Sequence, residues 1–398
     1  MSNTAVPSAP ASPKGEIYLD STALNSVRSI NYQGRIDILS PNNRANLLIN
    51  GGFDFAQRQA PGTLTTITPG TTNRAYSADR WAVGNGANSI QYQRIDTVAA
   101  VEAGLSSRFY GKLKKITAVG KIGISQVVEA ATCFPLRGRT VRFSCKMKYS
   151  VAASMNVRLG MIVNQSAGTV DAPTAALYNA WNGAGVDPTL GANLAYVAPS
   201  TTSGEGGTIN GNAYDIVLTS AWVKYSGVFL IPAGTKNVIP SVWTNTTIAV
   251  NDELNISECS LTDGYELQDW SASPVADELC RCQRFYAKTF AVDTAPATNV
   301  GVNTGEFKFM SGLAGLAGER SPSFRYPVTM RITPSTITTY NPAAVNAQVR
   351  DETAAADLTA TAVAGANDSS LGITCTGLAG TLVGSLLGVH LSLNAEIP

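Results

Sequence analysis

The order of apolar and polar positions divides the chain into β-patterned blocks on either side of one helix-patterned segment. Within 261–290, LTDGYELQDWSASPVADELCRCQRFYAKTF, the residues Val275, Leu279, Cys282 and Tyr286 recur at helical spacing. Glu278, Arg281 and Arg284 lie largely off that stripe. Start signals precede it: Ser273 offers an oxygen to a free amide, Pro274 suits the first helical position, and Asp277 and Glu278 oppose the positive end of the dipole. A helix this short is not stable alone in water, so its stripe must be buried on a neighbour. Trp270, Val275, Leu279, Cys282 and Tyr286 are therefore predicted to form a structural joint, with the connecting helix inside 271–290.

Before the helix, strand-like runs fall at 89–95, 123–128, 140–149, 155–163, 215–218, 222–231, 237–243 and 253–257, several of them separated by Gly, Pro or Asn clusters. This pattern predicts an antiparallel jelly-roll sandwich over 45–270. After it, runs at 305–310, 324–330, 335–340, 344–351, 372–376 and 390–397 predict a C-terminal β-sandwich over 291–398, with a role in oligomerisation. LAGLAG at 313–318 fits a turn or a strand, and 378–389 fits buried strands or a subunit contact. No fixed period recurs, which argues against a solenoid. The fold class is all-β with one short connecting helix.

Two stretches break the pattern. Residues 1–44 carry the Pro/Ser/Ala-rich SAPASPKGE at 8–16 and read as an extended arm, with INYQGRIDIL at 30–39 alternating well enough for a strand or pairing element. Such an arm is either a loose terminus or a docking tail. The second stretch, 164–211, is rich in Gly, Ala, Asn and Thr and carries SGEGG at 203–207. A loop of that length is expected to bind something or pack on a neighbour.

Composition narrows the function. Charged residues make up 14% of the chain, against about 25% in typical soluble domains, and the net charge is +1 without a basic block. Nothing here suits a nucleic-acid surface. No apolar run is long enough for a membrane helix, and the N-terminal residues lack the apolar core of a signal peptide. The six cysteines, Cys133, Cys145, Cys259, Cys280, Cys282 and Cys375, show no paired CxxC spacing and read as free, mostly buried thiols. No cofactor or metal is expected.

Sugars present apolar C–H faces and many hydroxyls, so a glycan site combines aromatic rings with amide or carboxylate side chains. Tyr178, Asn179, Trp181 and Asn182 in the long insertion have that chemistry, as do Tyr196, Tyr214, Trp243 and Asn245. The alternative is that these rings pack the insertion onto the sheet or a neighbouring subunit. Trp81, Trp222 and Trp270 read as core or joint residues.

The chain resembles a family of bacteriophage tail-fibre and related virion proteins. The resemblance rests on NLLINGGFDFAQR at 46–58, YSADRW at 76–81, SQVV at 125–128, LRGRTVRFSC at 136–145, the Trp222-x-x-Tyr225 pair, ELCRCQRFY at 278–286, FRYPVTMRITP at 324–334 and HLSLNAEIP at 390–398. It departs where Ala56-Gln57-Arg58 replaces the usual Trp-Gln-Arg and Phe285-Tyr286 the usual Tyr-Tyr. It implies a carbohydrate-binding-module-like jelly roll, a short helix and a terminal β-domain in a trimeric virion appendage. The expected partners are then two further copies of the chain, other virion proteins through residues 1–44, and host surface polysaccharide. The place of action would be the virion, after synthesis in the host cytoplasm.

Catalysis fits the sequence poorly. His390 is the only histidine, so any Ser-His-Asp or Cys-His arrangement must use it, and no HExxH, GxSxG or P-loop occurs. Glycoside cleavage needs only two carboxylates, for which Asp79, Asp96, Glu129, Asp171, Asp187 and Glu205 are candidates. Asp79 beside Arg80 reads instead as an ion pair or turn bond. The expected function is a tail fibre or fibre-like appendage with no catalytic residues. The alternatives are a capsid decoration protein without glycan affinity and a polysaccharide depolymerase.

Overall fold

In a computed structural model, the described residues fold as antiparallel sheets joined by one helix of more than a single turn. The structure describes residues 46–398 apart from 68–74, 86–89, 100–101, 118–119, 151–154, 167–169, 174–176, 201–206, 266, 313–316, 359 and 377–382. Ahead of these it describes three strands, Glu16–Asp20, Ser26–Ile30 and Ile36–Ile38, which pair as an antiparallel meander. Within 30–39, read from sequence as a strand or pairing element, Ile36–Ile38 pairs with Ser26–Ile30. Most of the SAPASPKGE segment, most of SGEGG and the LAGL of 313–316 lie outside the described residues.

The first unit is a two-sheet sandwich. One sheet runs Val223–Leu230, Thr140–Ser150, Glu253–Asp263, Phe109–Lys115, Ile90–Asp96, Thr65–Ile67. The other runs Thr208–Asn210, Ala213–Leu218, Met155–Asn164, Asn237–Thr244, Ile122–Ser125, Ala82–Asn85, Ala75–Tyr76, with Leu194–Val197 also paired to Met155–Asn164. Alternation along each strand builds the core between them: Val157, Leu159, Met161 and Val163 from one side meet residues such as Phe143, Tyr92 and Phe229, all fully buried. Each such side chain contributes roughly 1.5–3 kcal/mol relative to exposure. Phe109–Lys115 escapes the sequence pattern because FYGKLKK carries three lysines. Leu113 is nevertheless fully buried in the core, while Lys112 and Lys114 stay half-buried.

A bulge interrupts the pairing of Thr140–Ser150 with Glu253–Asp263 between Ser144 and Lys146. Glu258, opposite it, takes a positive φ of 50°. Its carboxylate accepts the backbone amides of Ser106 and Ser107 and pairs with Lys146 at 2.8 Å. The bulge thereby fixes a loop that borders a surface cleft.

The second unit is built on Leu386–Asn394, which pairs with Tyr286–Lys288, Phe307–Met310, Thr336–Tyr340 and Arg350–Asp351. Ser370–Thr376 forms a smaller sheet with Ala317–Arg320, Phe324–Arg325 and Ala360–Ala364. Leu387, Val389, Leu391 and Leu393 share the core with Leu371, Ile373 and Met330. The strands expected at 324–330 and 344–351 contract to two residues each, Phe324–Arg325 and Arg350–Asp351.

The connecting helix is Val275–Gln283, and a separate helical turn occupies Ala130–Cys133. Pro274 is the N-cap and no side chain caps the end, so Ser273 and Pro274 do not act as expected. Val275 is 70% exposed and leaves the stripe, whereas Glu278, expected off the stripe, is buried. Leu279 is half-buried and Cys282 fully buried. Tyr286 is buried too, but in the strand that follows the helix, because the chain turns there to pair with Ser392–Asn394.

Candidate functional site

Four of the segments that carry the family resemblance meet at the joint between the two units. Asn50, buried at φ 59°, donates through Nδ2 to the Phe55 and Asp79 carbonyls at 2.7 and 3.0 Å, and its amide donates to the Glu278 carboxylate. Gln57 Nε2 donates to Asp79 Oδ2 at 2.7 Å and to the Tyr286 carbonyl at 3.1 Å. Arg80 donates to the Glu396 carboxylate and, at 2.6 Å, to the Val127 carbonyl, while its guanidinium lies 3.5 Å over the Phe285 ring. Tyr76 Oη donates to the Ile397 carbonyl at 2.6 Å. The expected Asp79–Arg80 bond does not form, because adjacent residues face different partners: Asp79 takes Gln57 and Arg80 takes Glu396.

Burial raises the Asp79 carboxyl above its ordinary range, against the charge of Arg58 and the bonds from Gln57. Lys288 donates to the Gln57, Val292 and Thr294 carbonyls, and burial holds its ammonium down to about 8. Polar groups this deep are costly unless bonded, so each acts as a positional lock.

The residues expected to bind sugar are partly brought together, on the outer face of the second sheet. Tyr178 and Trp181 lie 4.6 Å apart between ring centroids, and Tyr196 and Trp243 lie 5.6 Å apart. Gly160 and Gly123 make room for the indoles. A Cβ on Gly160 would stand 2.4 Å from Trp243 Cη2, and one on Gly123 would stand 3.0 Å from Trp181 Cη2. Tyr178 and Trp243 are fully buried, Trp181 and Tyr196 half-buried, and burial pushes the Tyr196 hydroxyl well up.

Arg158 ties this cap down, pairing with Asp187 at 2.5 Å and Asp215 at 2.7 Å. Asn182 Nδ2 donates to the Asp187 carbonyl and Asn245 Nδ2 to Asp215. Tyr214 lies elsewhere, in the core between the sheets, and Asn179 is exposed. Tyr178, Tyr214 and Trp243 thus present no open ring face, which corrects their assignment as sugar platforms. The insertion covers the sheet that would otherwise expose Ile162 and Ile239, and its Tyr196 lies against Trp243.

An open ring occurs instead beside the joint. A cleft of about 740 Å³ lies between the sandwich and the strap that carries Trp270 and Val275. Trp270, assigned to the joint from sequence, is half-buried there. Gly52 lets these side chains pack closely: a Cβ on it would stand 2.8 Å from Trp270 Cζ2, 2.9 Å from Asp54 Oδ2 and 3.0 Å from Ser107 Oγ. The guanidinium groups of Arg94 and Arg108 flank the Phe109 ring at 4.6 and 4.8 Å, paired with Asp293 and Asp96, each at 2.7 Å. Burial, then the charge of Glu278, raises the Asp54 carboxyl.

Sequence reading singled out neither Asp54, Arg94, Arg108 nor Phe109. The last lies on the lysine-rich strand, and Asp54 sits inside a motif read for fold alone. A second groove, of about 780 Å³, lies on the other side of the strap and is lined by Gln126, Ser260, Thr262, Ser271, Ser273 and Arg284, among others. Its one ring, Phe285, is covered by Arg80.

His390 is buried, with Nδ1 and Nε2 each 2.9 Å from a threonine hydroxyl, Thr289 and Thr304, and its ring stacked 4.0 Å from Phe290. Five of the six cysteines are buried and Cys280 is exposed; none is disulfide-bonded. Among the described residues no cluster of three or more His, Cys, Asp or Glu suits a metal ion, and no helix is long and apolar enough to cross a membrane.

No family model and no curated protein sequence matches the chain. Among solved structures it is similar to the carbohydrate-binding module TmCBM61 in complex with β-1,4-galactotriose, at 12% identity over 56% of this chain and 100% of that one, with a TM-score of 0.29. It is similar to the C-terminal family 22 carbohydrate-binding module of Clostridium thermocellum Xyn10B, at 14% identity over 50% and 99% of the two chains, with a TM-score of 0.30. A third likeness is to the enzymatically active domain of bacteriophage CBA120 tailspike protein 4, at 10% identity over 55% of this chain and 21% of that one, with a TM-score of 0.29. At these scores the likenesses carry nothing about what this chain binds.

Proposed function

We propose that the chain is a non-catalytic structural subunit of a bacteriophage appendage, a tail fibre or fibre-like projection, that assembles as a homotrimer, docks through residues 1–44 and binds host surface glycan. The observation that carries this reading is the meeting of 46–58, 76–81, 278–286 and 390–398 in one polar joint. Segments that resemble tail-fibre motifs separately also contact one another, through Asn50–Glu278, Gln57–Tyr286 and Arg80–Glu396. That supports a single architectural unit as the source of the resemblance, where scattered coincidences would have no reason to touch.

Binding without cleavage is supported by how the candidate acids are used. Asp187 is held by Arg158, Glu129 by Arg284 at 2.8 Å, and Asp96 by Arg108. Asp171 accepts the Ala130 amide at 2.8 Å and Asn237 Nδ2 at 2.7 Å, and Asp79 is fully buried. Glu205 lies outside the described residues. Weak contacts repeated over three subunits would give avidity.

The test is an array of bacterial surface polysaccharides probed with the purified chain, with reducing ends assayed in the wash and the mass measured in solution. The expected result is retention on at least one polysaccharide, no released reducing ends, and a particle of three 41.6 kDa chains. Released fragments would move the depolymerase reading forward. A monomer retained on nothing would overturn the proposal.

A further inference from the structure

We propose that the cleft formed by Trp270, Asp54 and Phe109 is the glycan-binding site, and that it takes neutral, hydroxyl-rich sugars. This rests on the reading of the chain as a glycan-binding appendage. Three observations converge on it. Trp270 is only half-buried and its indole edge closes over Gly52, a position where any side chain would fill the space that Trp270 and Asp54 share. A pyranose packs its C–H face on such a ring, and the ring loses little freedom in holding it.

The second observation is the state of the polar groups. Arg94 and Arg108 already hold Asp293 and Asp96, so neither guanidinium needs a ligand anion. Among the described residues the Asp54 carboxylate accepts a hydrogen bond from its own backbone amide and from no other group, which leaves lone pairs for ligand hydroxyls. Two cations face three carboxylates, so an anionic sugar would meet net repulsion here.

The third observation is support from beneath. Glu258 pins the Ser106–Ser107 amides at one border, Arg94 donates to the Asp54 carbonyl, and Ser107 Oγ donates to the Gly52 carbonyl at 3.0 Å. A site so held is formed before the ligand arrives, which lowers the entropy cost of binding. The outer-face cluster around Trp243 is also held, by Arg158, but its rings are spent on packing the insertion.

The experiment is affinity electrophoresis of the full chain through native gels that contain a neutral polysaccharide (glucan, galactan, mannan or xylan) or an anionic one (polygalacturonate or polysialate). The wild type should be retarded in at least one neutral gel. Trp270→Ala and the near-isosteric Asp54→Asn should each weaken retardation about tenfold, and Trp270→Phe by less. Asn182→Ala, in the outer-face cluster, should be retarded like the wild type. Melting curves are run on every variant, and Asp54→Asn carries the test if Trp270→Ala unfolds. Full retardation of both Trp270→Ala and Asp54→Asn overturns the site and leaves glycan binding standing. Retardation in anionic gels alone overturns the assignment to neutral sugars. A wild type that passes every gel unretarded overturns the glycan reading itself.

Discussion

Arg80 and Glu396 lie 316 residues apart in the sequence and form a buried ion pair across the joint, both side chains at most 3% exposed. The pair is a register mark: the C-terminal segment reaches Arg80 only when Leu386–Asn394 is correctly paired and Phe285 has seated under the guanidinium. Removing one partner leaves an uncompensated buried charge. Glu396→Ala should therefore cost about 3–5 kcal/mol in urea unfolding. The double variant Arg80→Leu with Glu396→Leu should cost clearly less than the two single losses added together.

His390 makes the second unit sensitive to acid. Burial holds its imidazole below the ordinary 6.5, with the Glu306 carboxylate, 3.8 Å from Nε2, opposing the shift. Burial acts against ionisation of Glu306 as well, but the backbone amides of Glu306, Asn303 and Thr304, with Lys308, outweigh it and hold that carboxyl at about 2. Because the folded pKa of His390 lies below the unfolded one, the unfolded chain takes up its proton first. Stability is full above the unfolded value and falls as pH drops from about 7 to 5. Melting temperatures over that interval should show the slope, and His390→Gln should flatten it.

Gly160 leaves no room for a side chain under Trp243, since a Cβ would stand 2.4 Å from Cη2 and 2.8 Å from Cζ3. Gly160→Ala should destabilise by about 1–3 kcal/mol in chemical denaturation, the usual cost of overpacking.

Arg158 holds the insertion through Asp187, the Gly185 carbonyl and Asp215. Arg158→Ala should leave the sandwich folded and loosen its cover. Amide exchange across 177–197 is expected to rise about tenfold or more, with little change in 140–150. Equal acceleration in both regions would show that the cap is not a separate unit.

The cysteines give a simple check of burial. In the native chain one thiol, Cys280, should react with an aromatic disulfide reagent, and all six should react after unfolding.

The sandwich was largely legible because its strands are long and alternate cleanly, as Met155–Asn164 and Asn237–Thr244 do. Phe109–Lys115 was not legible, since lysines on alternate positions mask the apolar face until the opposing sheet is known. The settings of the two indoles Trp243 and Trp270 were not legible for the same reason. Alternation places Trp243 on the outer face, where it looks available, yet the insertion earlier in the chain brings Tyr196 against it and leaves it fully buried. Trp270, beside the helix, looks like a joint residue but borders a cleft whose other walls come from Asp54 and Phe109. Local patterns report which face a residue takes. What later covers that face depends on contacts distant in sequence.

The most direct measurement is a titration of the purified chain with a neutral hexose oligosaccharide, following tryptophan fluorescence in the wild type and in Trp270→Phe. Of the five tryptophans, Trp270 is the one in the cleft. The expected result is a saturable spectral change in the wild type that Trp270→Phe abolishes, with no reducing ends formed. An unchanged wild-type spectrum across neutral oligosaccharides, or the same change in Trp270→Phe, would contradict it.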